Sequence, residues 1–146
     1  FEAKYHDEHR PRICLELCED WARGNIKMPV AKRAILDSHA VAKEINDSEY
    51  GALCHAIGHG GATVHVETHA LGLPFYELTA IVLKFGKENY SKPLSEKINY
   101  YYDRLLYWQY NTDKLKLEWA DFLLDDTRPN KEKLLSEKRK SKLQDS

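Results

Sequence analysis

The sequence predicts an all-α fold, a single compact helical domain of about six helices arranged around a central Gly/His-rich helix. Three observations predict it. Apolar residues recur at three- and four-residue steps along most of the chain, which is the repeat of a helix face. Proline and glycine fall between these stretches, proline where a helix can open and glycine where one can close. No strand-period run exceeds a few residues, and no internal repeat or linker marks a second unit. A chain of 146 residues can bury a core without cross-links, and 42 % hydrophobic with 31 % charged residues is an ordinary globular balance.

The first helix is read from RPRICLELCEDWARG. Pro11 sits in its first turn, Gly24 lies just past its end, and Cys14, Leu17, Cys18 and Trp21 form one apolar stripe. Pro29 opens a second helix carrying Ala31, Ala34, Ile35, Val41, Ala42 and Ile45, which stops at Asn46-Asp47-Ser48. Either Asp47 or Ser48 can then cap a third helix. That third helix is expected from about Glu49 to Leu71, with Gly72 and Pro74 punctuating its end. A fourth starts at Pro74 with Phe75, Leu78, Ile81, Val82 and Phe85 on one side. A fifth follows Pro93, with Ile98, Tyr101, Leu105 and Trp108 as its core stripe. Leu115 to Leu124 forms a short sixth. Residues 1–127 therefore read as one helical domain. Residues 128–146, with seven basic residues against three acidic, read as a basic tail expected to fray.

The bulk properties exclude several function classes. A formal charge of −1 is no footprint for general nucleic-acid binding, which needs a basic face. No apolar run approaches the roughly 18 residues of a membrane span. The three cysteines, Cys14, Cys18 and Cys54, are an odd number without CxxC spacing. They read as buried free thiols in a cytoplasmic protein rather than a secreted disulfide frame. The first residue is Phe1 rather than Met, so the numbering is expected to begin inside a longer chain.

The third helix is the informative one, because ALCHAIGHGGATVHVETHALG holds four histidines and four glycines. At about 100° per residue, Leu53, Ile57, Val64 and Leu71 fall on one side. His55, Gly58, His59, Ala62, His65, Val66 and His69 fall on the other. Such a helix is expected to be central and packed on two faces. Gly58, Gly61 and Ala62 would admit close neighbours and so offset the helix propensity that glycine loses.

Three readings of the histidines stay open. His55/His59 and His65/His69 each have the i,i+4 spacing that places two imidazoles on one face, as in zinc-binding helices. On one continuous helix the two pairs stand about 15 Å apart, so one zinc or other divalent ion cannot take all four. The glutamate of HExxH is absent as well. A second reading is a partly buried seam of neutral, hydrogen-bonded imidazoles with no cofactor, and a third is a binding groove lined by the histidines. Elsewhere no nucleophile elbow, Walker loop or Rossmann fingerprint is present, so no catalytic residue is assigned. The fifth helix carries more aromatics than one core face can bury. Tyr102, Tyr107 and Tyr110 are therefore candidates for a partner surface.

Residues Arg10 to about Ala80 carry a resemblance. Arg10-Pro11-Arg12, then CEDWARGNIKMPVAKRA, then CHAIGHGGATVHVETHALG are similar to runs of the immunity protein family of bacterial polymorphic-toxin systems. The resemblance covers about half the chain and stops before the Tyr-rich part. It implies a small cytosolic all-α protein that binds and neutralises a cognate toxin without catalysis. The competing class is a helical metal-binding protein, a hydrolase among the options, using the His55/His59 and His65/His69 pairs.

Overall fold

Pro11 lies in the first turn of α1 (Arg10–Ala22), where its missing N–H has no helical partner to lose. Gly24 follows the end of α1 at φ +80°, a conformation that carries no Cβ clash in glycine. The computed structural model describes residues 1–114, 116, 118–123, 125, 127 and 134. Pro29 stands in the first turn of α2 (Met28–Glu44). Asp47 caps α3 (Ser48–Ala62), its Oδ1 accepting from the Tyr50 N–H at 3.2 Å. A 3₁₀ turn at Glu67–Leu71 leads into α4 (Gly72–Asn89), which breaks at Gly86 (φ +71°, ψ 167°). The chain then passes through Tyr90, itself helical in φ and ψ, into α5 (Ser91–Asn111). The described residues hold five α-helices and no strand, and no helix is long and apolar enough to cross a membrane.

α3 is the central element, packed against α1, α2, the 3₁₀ turn and α4. Small side chains make this possible. Its buried positions are Gly51, Ala52, Cys54, Ala56, Gly58, Gly61 and Ala62. A Cβ on Gly51 would stand 3.2 Å from the Ala42 carbonyl oxygen, so α2 runs close to α3 there. Ser38, fully buried on α2, donates its hydroxyl to the Cys54 carbonyl at 3.0 Å and ties the same two helices. The main core joins Cys14, Cys18 and Trp21 of α1 with Ala31, Ala34 and Ile35 of α2 and Ala62 of α3. All three cysteines are free and buried, as their spacing predicts.

A returning segment closes the far side of α1. The Ala120 N–H donates to the Ala22 carbonyl at 2.8 Å, and the Phe122 ring lies 5.4 Å from Trp21.

Four expectations need correction. The third helix ends at Ala62 rather than Leu71. Gly60 and Gly61 weaken its last turn, and the Thr63 hydroxyl bonds back to the Gly60 carbonyl at 2.6 Å. Gly72 therefore lies inside α4 instead of ending α3. On α5 the expected core stripe is not core, and on α4 Leu78, Ile81 and Val82 are half-buried while the two phenylalanines of the stripe are exposed. Phe75 is 71 % exposed and Leu105 64 %, with Phe85, Ile98 and Trp108 also exposed, because the described residues provide no further helix to cover them. Asp121–Leu123 is a single 3₁₀ turn and not part of a sixth helix, while Leu115, Leu117 and Leu124 fall outside the described residues. The basic tail also falls outside them, apart from an exposed Leu134.

Candidate functional site, a histidine ladder beside an open aromatic helix

The end of α3 at Ala62 turns the chain back on itself, and this changes which histidines meet. His59 of α3 and His69 of the 3₁₀ turn touch, Nδ1 to Nδ1, at 2.9 Å. Ten residues apart in sequence, they are neighbours in space, and the 15 Å separation expected of a continuous helix does not apply. His55 meets His39 of α2 in the same way, Nδ1 to Nδ1 at 2.8 Å. The His39 ring also stands edge-on to His59 at 5.2 Å, which links the two pairs into one ladder. Tyr76 of α4 covers it, with its ring 4.9 Å from His55 and 5.2 Å from His59. His65 lies at the end, its ring 6.3 Å from His69 and 6.0 Å from Trp21.

The backbone is shaped around these rings. A Cβ on Gly58 would come within 2.7 Å of the His39 ring, and one on Gly72 within 2.4 Å of the His59 ring. Both glycines supply room for an imidazole, and α4 can start against His59 because Gly72 has no side chain.

Each Nδ1 to Nδ1 contact needs one nitrogen to donate and the other to accept, so a bonded pair keeps at least one ring neutral. Burial is the leading cause that lowers the pKa values of His39, His55 and His59. It pushes His39 down to about 4, helped by His55, His59, His69 and Lys43. His55 is lowered by burial and then by Lys43, and His59 by burial and then by His69 and His55. The nitrogen contacts join His39 with His55 and His59 with His69, not the two i,i+4 pairs. Among the described residues no group of three or more His, Cys, Asp or Glu is placed to hold a metal ion.

Stability should therefore depend on pH where carboxylates do not yet titrate. Unfolded imidazoles take up protons below about 6.5. Folded His39 resists protonation down to about 4, so the unfolded state binds more protons in this window and stability falls as pH drops through it. The half-buried ring retains some solvent, so the expected loss is about 1–2 kcal/mol between about pH 7.5 and about pH 5. Urea denaturation at both values measures it, and His39→Gln should flatten the dependence. A wild-type curve that does not move over this range would contradict a neutral ladder.

The aromatic candidates lie elsewhere, on α5, which has no buried residue over its 21 positions. Tyr102 is 60 % exposed and Tyr110 65 %, and Tyr107 is exposed as well. Tyr101 is the exception among the tyrosines of this run. Half-buried, it donates its hydroxyl to Glu77 of α4, which also pairs with Lys97 at 2.7 Å. Sequence reasoning missed His39, Tyr76 and Arg104. His39 and Tyr76 belong to other helices and join the ladder only through tertiary packing. Arg104 had a visible signal, three and four residues before Tyr107 and Trp108. Its guanidinium lies 4.4 Å and 5.6 Å from those two rings.

A family model described as Imm-5 like putative immunity protein matches residues 1–104. No curated protein and no solved structure matches the chain.

Proposed function

The chain belongs to the Imm-5 like immunity protein family, and from that membership we propose that it binds and neutralises a cognate bacterial toxin without catalysis of its own. The observation that carries the reading is α5, 21 residues long with no buried side chain and with Tyr102, Tyr107, Tyr110 and Trp108 open to solvent. Tyrosine and tryptophan give large contact area at low entropic cost and concentrate in the hot spots of interfaces. The protein would work in the cytoplasm, where three buried thiols stay reduced. The histidine ladder serves here as architecture, holding α2, α3 and α4 in register behind the binding helix.

Alanine at a true anchor among Tyr102, Tyr107 and Tyr110 should weaken the toxin complex by about 2 kcal/mol or more, and at an edge position by under about 1 kcal/mol. Melting curves should stay unchanged, because an exposed ring contributes little to the core. The test pairs a melting curve with an affinity measurement for each variant. It adds a protection assay in cells co-expressing the toxin, with the product of a neighbouring toxin gene as first candidate. Normal binding and protection in all three variants would place the surface elsewhere.

A further inference from the structure

Leu94, Ile98, Tyr101, Leu105 and Trp108 follow one another along α5 by four, three, four and three residues. That alternation keeps one line of side chains against a neighbouring helix through a left-handed pairing. α4 supplies a neighbour at Tyr101 and Lys97, where Glu77 receives both. Beyond them the line stays open, with Leu105 64 % and Trp108 39 % exposed. A line of side chains with the period of helix pairing is shaped to receive a helix.

Charge beside the line specifies which helix. Lys97 and Arg104 precede Ile98 and Leu105 by one residue each and stand on one flank. Glu77 neutralises Lys97. Arg104 lies against the Tyr107 and Trp108 rings, and no carboxylate among the described residues is bonded to it. Rings under a guanidinium hold its planar fork in place and leave its edge for a carboxylate. A second copy does not supply one. Antiparallel pairing sets the Arg104 flank against itself, and parallel pairing sets it against Ser95, Tyr102 and Gln109. Residues 128–146 carry seven basic residues against three acidic, the wrong sign for this flank.

We infer that the second half of α5 receives an amphipathic helix of a partner protein, whose apolar stripe is flanked by a carboxylate that pairs with Arg104. The inference rests on the toxin-binding reading and adds the chemistry of the surface that the toxin presents.

The probes are three synthetic helical peptides that share one leucine stripe at alternating three- and four-residue steps and carry Glu, Gln or Lys along the flanks. Titrated into the full chain by calorimetry, the Glu peptide should bind about tenfold or more tighter than the Gln peptide, and the Lys peptide weakest. Arg104→Glu should reverse that order. Leu105→Ser should weaken all three with the circular dichroism unchanged. Equal affinities, no binding by any peptide, or an order that Arg104→Glu leaves alone would overturn the proposal. So would a dimer in sedimentation that Leu105→Ser dissolves, because the seam would then belong to a second copy. No toxin enters this experiment. Intact peptide discrimination alongside failed protection in cells would sink the toxin reading and leave the helix site standing.

Discussion

Replacing Gly61 by valine is expected to destabilise the domain by about 3 kcal/mol or more, enough to leave a marginal fold largely unfolded. Gly61 faces α1 from the buried side of α3. A Cβ there would stand 2.9 Å from Cys18 Sγ, 3.1 Å from Cys14 Sγ and 3.6 Å from Ile35 Cγ1. Cys14 is fully buried and Cys18 is 3 % exposed, and a thiol one bond beyond its own Cβ has little room to swing aside. Alanine gains about 0.5–1 kcal/mol of helix propensity against an overpacking cost of about 1–3 kcal/mol, so Gly61→Ala should lose modestly. Valine adds two methyl groups to the same clash. Urea denaturation of both variants measures the two losses. Cys18→Ala in the Gly61→Ala background should recover part of the loss, since the nearest obstructing atom is then gone. A Gly61→Val protein as stable as its parent would show that α1 and α3 are not in close contact.

Trp21→Ala should cost about 3–5 kcal/mol, the usual range for deleting a buried aromatic and leaving a cavity. Trp21 is 8 % exposed and sits where three parts of the chain meet. It belongs to the cluster of Cys14, Cys18, Ala31, Ala34, Ile35 and Ala62, and its ring lies 5.4 Å from Phe122 and 6.0 Å from His65. Trp21→Phe keeps most of the volume and should cost about 1–2 kcal/mol. Thermal and chemical denaturation read both. A loss under about 1 kcal/mol for the alanine variant would remove Trp21 from the core.

Where the signal was local, the sequence was legible. Pro11, Pro29, Gly24 and the Asp47 cap act within a turn of their own positions, and α1, α2 and the start of α3 follow from them. The end of α3 was not legible, because the 3.6-residue repeat continues through His65 and His69 although Gly60, Gly61 and Thr63 end the helix. The ladder was half visible. Four of its histidines stand in one segment, but the partner of His55 comes from α2, and no spacing rule reaches across two helices. α5 shows a different limit. A stripe at three- and four-residue steps looks the same whether a core or a partner covers it, so Leu105 and Trp108 read as buried and are exposed.

The contact between Ala120 and Ala22 has a consequence for the order in which the molecule assembles. α1, α2, α3 and α4 pair with near neighbours in sequence, an arrangement of low contact order that folds quickly. The returning segment is different, since its bond to Ala22 closes a loop of about a hundred residues whose ends meet only once the helices between them have formed. Phe122 and Leu123 of this segment pack against the core that α1, α2 and α3 build, so it is expected to dock after those helices have come together. Until it docks, the face of Trp21 that meets Phe122 stays bare.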